Sequence, residues 1–404
     1  MEQRRVGNLA VGRSDNRDWE FVSYEGLEHP FDGVAVTHCG DYAEEDVEAR
    51  CLEFIRRHTL CATPAATERL LSATRPGLAG LLNCAPGACQ EHVQIFADIY
   101  VWYVAVDDFL EPMQQEHCQW DDFVHYDWFL ARMAFDSFGF SIRAPGQLSR
   151  HPTVQGNKSR LSQARRLCGA LREILSRVAP FCVCDLQYLD LCRAIEGYTG
   201  ANAFESLQYS DWAVTSKEEG LMRYSEMRGE SIGQAISMEL ALIFNRVYVP
   251  RHIRNTAAFK RLWDRGTEFV WKANDLIGSA KDWAAHCATN AVCLLGRKCG
   301  HSLAQAQRAY TADVLLPAVR RFREVLEPHA LEGAMRAELI TAEEERRILF
   351  LARRWIAHIC WASYAWNCTV QRYSLDRAPL SSDVFGLRQE GTASELGGIH
   401  LSSR

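Results

Sequence analysis

The sequence never alternates apolar and polar residues with period two for long enough to build a sheet, while apolar side chains return every third or fourth position through most of its length. That pattern confines the chain to helices. Periodic segments run from Glu44 to Leu60, from Thr63, from about Gln90, and then over Ser159 to Val178, Val183 to Ile195, Leu221 to Arg246, Ala257 to Ala285, Leu303 to Leu326 and Ala342 to Tyr373. No repeat at a fixed period and no Pro/Gly/Ser-rich linker divides them. The expectation is all-α, one bundle of roughly ten to twelve helices. Residues 1–40 read as a polar N-terminal arm and residues 374–404 as a flexible C-terminal tail.

Local signals sharpen the outline. Between Glu44 and Leu60, Val47, Cys51, Phe54 and Ile55 share one face, and Thr63 followed by Pro64 is a cap and first-turn proline that opens a second helix. Gly77 to Gly87 breaks the periodicity. Pro112 suggests a kink or an end in the helix that starts near Gln90. Phe138 to Gly156 reads as a loop, and the Asp121-Asp122 doublet as acids favouring a helix start.

A chain of 404 residues, 48% hydrophobic, can bury one large core or two modest ones. Its net charge of −6 and lack of a basic block argue against nucleic acid as a partner. No apolar run approaches the roughly 20 residues that span a bilayer, and the residues after Met1 lack a signal peptide's apolar core, so the expected location is cytoplasmic. The fifteen cysteines contain no Cys-x-x-Cys pair and read as buried thiols rather than zinc ligands.

Chemistry concentrates in two places. On a helix Phe96, Tyr100, Tyr103, Asp107 and Glu111 form one stripe, aromatic for two turns and then acidic, with Asp108 beside it. Carboxylates one turn apart suit a hard divalent cation that fills its shell with water and phosphate oxygens. The second place mirrors the first. Asn274, Gly278 and Asp282 stand on successive turns above Trp263, Thr267 and Trp271, with Lys281 alongside as a point charge suited to phosphate.

These motifs resemble those of a known family. Asp107-Asp-x-x-Glu111 and Asn274-Asp-x-x-x-x-x-Lys281-Asp282 look like the two metal motifs of class I terpene synthases of the microbial, single-α-domain type. Tyr224-Ser-Glu-Met-Arg228 is similar to the segment carrying that family's diphosphate-sensing arginine, 274 − 228 = 46 residues before the second motif. Trp366-Asn-Cys-Thr-Val-Gln-Arg372-Tyr373 resembles its terminal Arg-Tyr pair, and the likeness covers residues from about 60 to 373. The family's usual Ser or Thr is Gly278 here, so a water is expected in place of one protein ligand. Ser279 cannot substitute, since it points about 100° away around the helix.

The resemblance implies a domain over residues 41–373 with a central apolar cavity, and an Mg2+-dependent cyclase acting on a linear isoprenoid diphosphate. Farnesyl diphosphate is the first expectation and geranylgeranyl diphosphate the next. Three Mg2+ ions, with Mn2+ as a substitute, would be held by Asp107, Asp108, Glu111, Asn274, Asp282 and a water at Gly278. Arg228, Lys281, Arg372 and Tyr373 would bind diphosphate, and Phe96, Tyr100, Tyr103, Trp271, Trp361 and Trp366 would line a dry pocket. A homodimer is compatible with it. Two alternatives remain at this level: a chain-elongating isoprenyl transferase, which would need a second Asp-rich box where Asn274 and Asp282 stand, and a non-catalytic helical scaffold. Taken singly, each aromatic is explained by core packing, and Asn274 by a helix cap; the conjunction carries the functional reading.

Overall fold

The computed structural model describes residues 42–85, 87–115, 158–211, 217–284 and 289–370. The proposed arm and tail, the Asp121-Asp122 doublet, the Phe138 to Gly156 loop, Arg372 and Tyr373 lie outside the described residues. Every regular element among the described residues is helical. The first three are α1 (Glu44–His58), α2 (Pro64–Thr74) and α3 (Pro76–Asn83). In α1 the buried set is Val47, Cys51, Phe54 and Ile55, the face read from the sequence. At the start of α2 the Thr63 hydroxyl accepts from the Ala66 amide, with Pro64 in the first turn.

The first part of the Gly77 to Gly87 stretch is helix α3, and the break in helical structure comes after Asn83. All eight residues of α3 are buried. A helix covered on every side has no polar face, so it carries no amphipathic period for a sequence reading to detect.

Helix α4 (Gln90–Gln115) carries the aromatic-acidic stripe. It does not end at Pro112. The proline lacks one N–H, yet the helix continues past it to Gln115. On its back the Trp102 indole donates to the Leu167 carbonyl at 3.1 Å, which fixes α4 to α5 (Lys158–Val178).

Helix α6 (Asp185–Asp211) runs sixteen residues past Ile195, where the sequence pattern weakens. Gly197 and Gly200 dilute the periodicity; at Gly197 a Cβ would meet Glu230 of the next helix, so glycine there permits close packing. The segment expected as one helix from Leu221 to Arg246 is two: α7 (Lys217–Ser231) and α8 (Gln234–Phe244). Gly233 separates them with φ +73°, and a Cβ on it would lie 3.2 Å from the Tyr103 ring and 3.3 Å from the Tyr198 ring. Only glycine meets both the backbone and the space requirement.

After the short α9 (Arg251–Arg254) come α10 (Ala257–Ala284), α11 (Ala291–Cys299), α12 (Leu303–Tyr310), a π-turn over Thr311–Leu315, α13 (Leu316–Leu326), α14 (Pro328–Ala337) and α15 (Glu343–Thr369). Helix α4 packs on α6, α6 on α7, α7 on α10, α10 on α15, α15 on α3, and α3 back on α4. Six helices therefore close a ring. Helix α8 touches five of them and runs antiparallel beside α4, from Gly233 next to Tyr103 down to Phe244 next to Phe96. It fills the ring below the level of Tyr103.

Candidate active site

The first motif divides its two aspartates by the geometry of α4. Asp107 is exposed and its Oδ1 accepts a hydrogen bond from the Tyr198 hydroxyl of α6 at 3.2 Å. Asp108, one step round the helix, is buried at 2% exposure and lies within electrostatic reach of the Cys61 thiol. Of the pair, Asp107 is the exposed carboxylate, beside α6, and Asp108 the buried one, on the side of Cys61. The side chain of Glu111 lies outside the described residues.

The second motif sits on a helix buried all round, since every residue from Phe269 to Ala280 of α10 is covered. Polar side chains in such a run need partners. Asn274 has them on both ends of its amide: Oδ1 accepts from Arg228 Nη2 at 2.9 Å, and Nδ2 donates to Asn367 Oδ1 of α15 at 3.2 Å. Asp275, 1% exposed, accepts from Arg228 Nε at 3.1 Å, the Tyr224 hydroxyl at 2.7 Å and the Ala291 amide at 3.0 Å. Burial pushes its carboxyl upward, while the Arg228 guanidinium, the Ala291 amide and the Tyr224 hydroxyl pull it back.

Asp282, two turns on, accepts from Asn290 Nδ2 at 2.9 Å, and Lys281 Nζ stands 3.6 Å from its other oxygen. Asn290 also caps α11 through its carbonyl oxygen and donates to the Asp275 carbonyl. One amide thus ties the upper turns of α10 to the start of α11. Ser279 faces away as expected: its hydroxyl donates to the Leu276 carbonyl at 2.6 Å and accepts from Gln307 at 3.0 Å. Gly278 is buried on the same helix.

Aromatic contacts lead from the first motif toward the helix that partners the second. From Asp107 the contacts pass to Tyr198, whose ring lies 5.3 Å from that of Tyr103; Tyr103 meets Tyr100 at 5.7 Å, and Tyr100 meets Trp366 at 4.7 Å, both edge to face. Trp366 directly precedes Asn367, the partner of Asn274, in the sequence of α15. The Tyr103 hydroxyl donates to the Gly233 carbonyl at 3.1 Å, and the Trp366 indole donates to the Thr74 carbonyl at 2.8 Å. Their polar tips are thus satisfied by backbone carbonyls of neighbouring segments.

The other predicted aromatics belong to separate groups. Phe96 packs edge-on against Phe244 at 5.4 Å and Trp271 edge-on against Tyr224 at 6.1 Å, while Trp361 lies tilted against Tyr364 at 5.4 Å. Sequence reasoning gave no role to Tyr198, Asp275, Asn290 or Asn367. Tyr224 and Arg228, one turn apart and both bonded to Asp275, carried a signal in their i,i+4 spacing. Tyr198 carried none, because it lies where the pattern of α6 fades.

The donor set offered by Asp107, Asn274 and Asp282 is all oxygen, the chemistry of a hard divalent cation rather than of zinc. Among the described residues no three His, Cys, Asp or Glu side chains gather into a metal cage of their own. Such a cation would therefore take much of its shell from water and phosphate oxygens. Among the described residues no helix is long and apolar enough to cross a membrane.

Comparison with known proteins agrees with this geometry. Residues 98–314, more than half the chain, match the model of terpene synthase family 2, C-terminal metal binding. The chain belongs to that family. It is a class I terpene synthase, an enzyme of the lyase class. Solved structures share the fold: α-eudesmol synthase at TM-score 0.63 and 17% identity, covering 85% of this chain and 98% of that one, and germacradien-4-ol synthase from Streptomyces citricolor at TM-score 0.61 and 17% identity, covering 85% and 97%. Wild-type cucumene synthase aligns at TM-score 0.60 and 16% identity, covering 84% of this chain and all of that chain. No curated protein matches the sequence.

Proposed function

We propose that this enzyme ionises a linear isoprenoid diphosphate in the presence of Mg2+ and cyclises the resulting cation, with farnesyl diphosphate as the first substrate and geranylgeranyl diphosphate the next. The observation that carries the reading is the run of contacts from Asp107 through Tyr198, Tyr103 and Tyr100 to Trp366, on the same helix as Asn367, which bonds Asn274 of the second motif. Relatives of the same fold named for eudesmol, germacradienol and cucumene formation favour the farnesyl chain length.

Asp107, with Asp108 and Glu111, would hold Mg2+ on one side of the ring, and Asn274 and Asp282, with a water at Gly278, on the other. Bound there, the metal supplies charge neutralisation for the leaving diphosphate. Arg228, Lys281, Arg372 and Tyr373 bind the diphosphate oxygens, Arg228 with a planar fork and Lys281 as a point charge. The allylic C–O bond breaks heterolytically, and its electron pair leaves with diphosphate. No protein nucleophile is required.

The carbocation then reacts with its own double bonds. Tyr100, Tyr103 and Trp366 exclude water and present ring faces to positive charge, a contact worth roughly 0.5–2 kcal/mol each. Loss of a proton gives a hydrocarbon, and capture of water gives an alcohol.

Incubation of the full chain with each linear diphosphate and Mg2+, followed by analysis of the organic extract, tests the proposal. A cyclic product from farnesyl diphosphate with release of diphosphate is expected. Elongated diphosphates on addition of isopentenyl diphosphate would replace it with the transferase reading.

A further inference from the structure

The second metal motif contains a cation of its own. Arg228 reaches from α7 to α10 and divides its guanidinium between two neighbours, Nε on Asp275 at 3.1 Å and Nη2 on Asn274 Oδ1 at 2.9 Å, while Nη1 donates to the Ser231 hydroxyl at 3.2 Å. The oxygen that a metal ion would need from Asn274 is thereby the oxygen that a guanidinium holds. A divalent ion approaching it meets a full positive charge within hydrogen-bond distance.

The two acceptors differ in freedom. Asp275 is fixed, because its carboxylate also receives the Tyr224 hydroxyl and the Ala291 amide at the N-terminal end of α11, where negative charge is favoured. Asn274 has a second anchor on α15 through Asn367, which orients its oxygen toward Arg228. The arginine is the long, multiply rotatable member, with 13% of its side chain exposed against 1% for Asp275.

We propose that Asp275 is a positioning residue: it docks Arg228 on Asn274, so that the guanidinium occupies the metal-ligand oxygen until a diphosphate draws it away. The inference rests on the reading of Asn274 as a metal ligand. It makes metal and diphosphate binding at the second motif mutually dependent without any movement of backbone. Diphosphate would take over the bonds of Arg228, and the Asn274 oxygen thus released would be available to hold a divalent cation, which supplies charge neutralisation. Asp275 does not serve as a ligand, since its oxygens already face Arg228, Tyr224 and α11.

The test uses Mn2+ as a spectroscopic probe, titrated onto the full chain with and without inorganic pyrophosphate, on variants whose folding is verified by circular dichroism. Without pyrophosphate, Arg228→Ala is expected to bind Mn2+ about tenfold more tightly than the unaltered chain, the size of one lost charged hydrogen bond. Asp275→Asn keeps Arg228 but weakens its dock, and is expected to tighten Mn2+ binding about threefold. This near-isosteric variant carries the test if Arg228→Ala fails to fold. Both gains should vanish when Asn274→Ala is added. An aspartate serving only as structure would weaken binding when replaced, not tighten it. If both single variants bind Mn2+ no better than the unaltered chain, while Asn274→Ala still removes one Mn2+ per chain in the presence of pyrophosphate, the dock is overturned and the ligand reading stands. If Asn274→Ala removes no Mn2+ under those conditions, the ligand reading falls and takes the dock with it.

Discussion

Two aspartates in this enzyme, each 1% exposed and each gripped by an arginine from a neighbouring helix, have different surroundings. Asp98 on α4 accepts from Arg177 of α5 at 2.5 Å and from Gln94 at 3.0 Å, and Arg177 spends its remaining reach on Glu91 at 2.6 Å. Everything Arg177 touches is a carboxylate, and the cluster joins two helices on the outside of the ring. Asp275 shares its arginine with Asn274, a neutral amide that also bonds Asn367 of α15. The comparison teaches that a buried Asp-Arg pair is read by the arginine's second arm. Where that arm ends on another acid, the pair is a strut; where it ends on an oxygen with a further use, the pair is part of the chemistry.

The largest difference between the two should appear on removing the candidate site. Asn274→Ala and Asp107→Asn are expected to lower turnover about 10²–10³-fold or more, with helical content unchanged by circular dichroism, because each takes away charge stabilisation needed only as diphosphate departs. Near-normal product formation by either variant would erase the assignment.

Arginine exchange is the next comparison. Arg228→Lys is expected to cost about a hundredfold in kcat/KM, since a point charge cannot span two acceptors. Arg177→Lys should leave kcat/KM within about threefold and show itself as a lower Tm instead, in the range of a partly exposed ion pair, about 1 kcal/mol. Equal effects on turnover from the two exchanges would break the distinction between strut and site.

Titration separates the pairs more gently. Burial outweighs Arg177 and raises the Asp98 carboxyl from 3.8 to about 6. A folded-state pKa above the unfolded value means that the associated stability is present below the unfolded pKa and is lost as pH rises through the folded one. The Tm of the unaltered enzyme should therefore fall relative to Asp98→Asn as pH is taken from about 4 to about 7, by an amount equivalent to about 2–3 kcal/mol. A Tm difference independent of pH would show that Arg177 fully offsets the burial.

The smallest effect is expected at Gly278. Gly278→Ser adds a hydroxyl at the place where we propose that a water completes the metal shell, so turnover and Mg2+ dependence should stay within about threefold. Complete loss of Mg2+ binding, measured by titration, would contradict the water.

What was legible in the sequence follows from physics that acts within one helix. The stripes ending at Asp107 and at Asn274 to Asp282, the capped start at Thr63 and the buried face of α1 all come from side chains three or four residues apart, and each proved to lie on one helix. The misreadings share an opposite cause. Helix α3 is buried on every side and has no period to detect, the continuation of α6 past Ile195 is diluted by Gly197 and Gly200, and the interruption at Gly233 is imposed by the rings of Tyr103 and Tyr198 from other helices.

The sequence by itself determined that the chain is helical, that two oxygen-rich motifs crown aromatic stripes, and which of their residues have the chemistry for metal and phosphate. Only the tertiary structure decided that Asp107 stands exposed beside Tyr198 while Asp108 is buried, that Asn274 is held between Arg228 and Asn367, and that Asp275 is locked against α11. The physical reason is range. A helix fixes the direction of its own side chains every few residues, whereas the partner of a buried polar group is chosen by whichever helix the ring closure brings within hydrogen-bond distance, up to 93 residues away for Asn274 and Asn367.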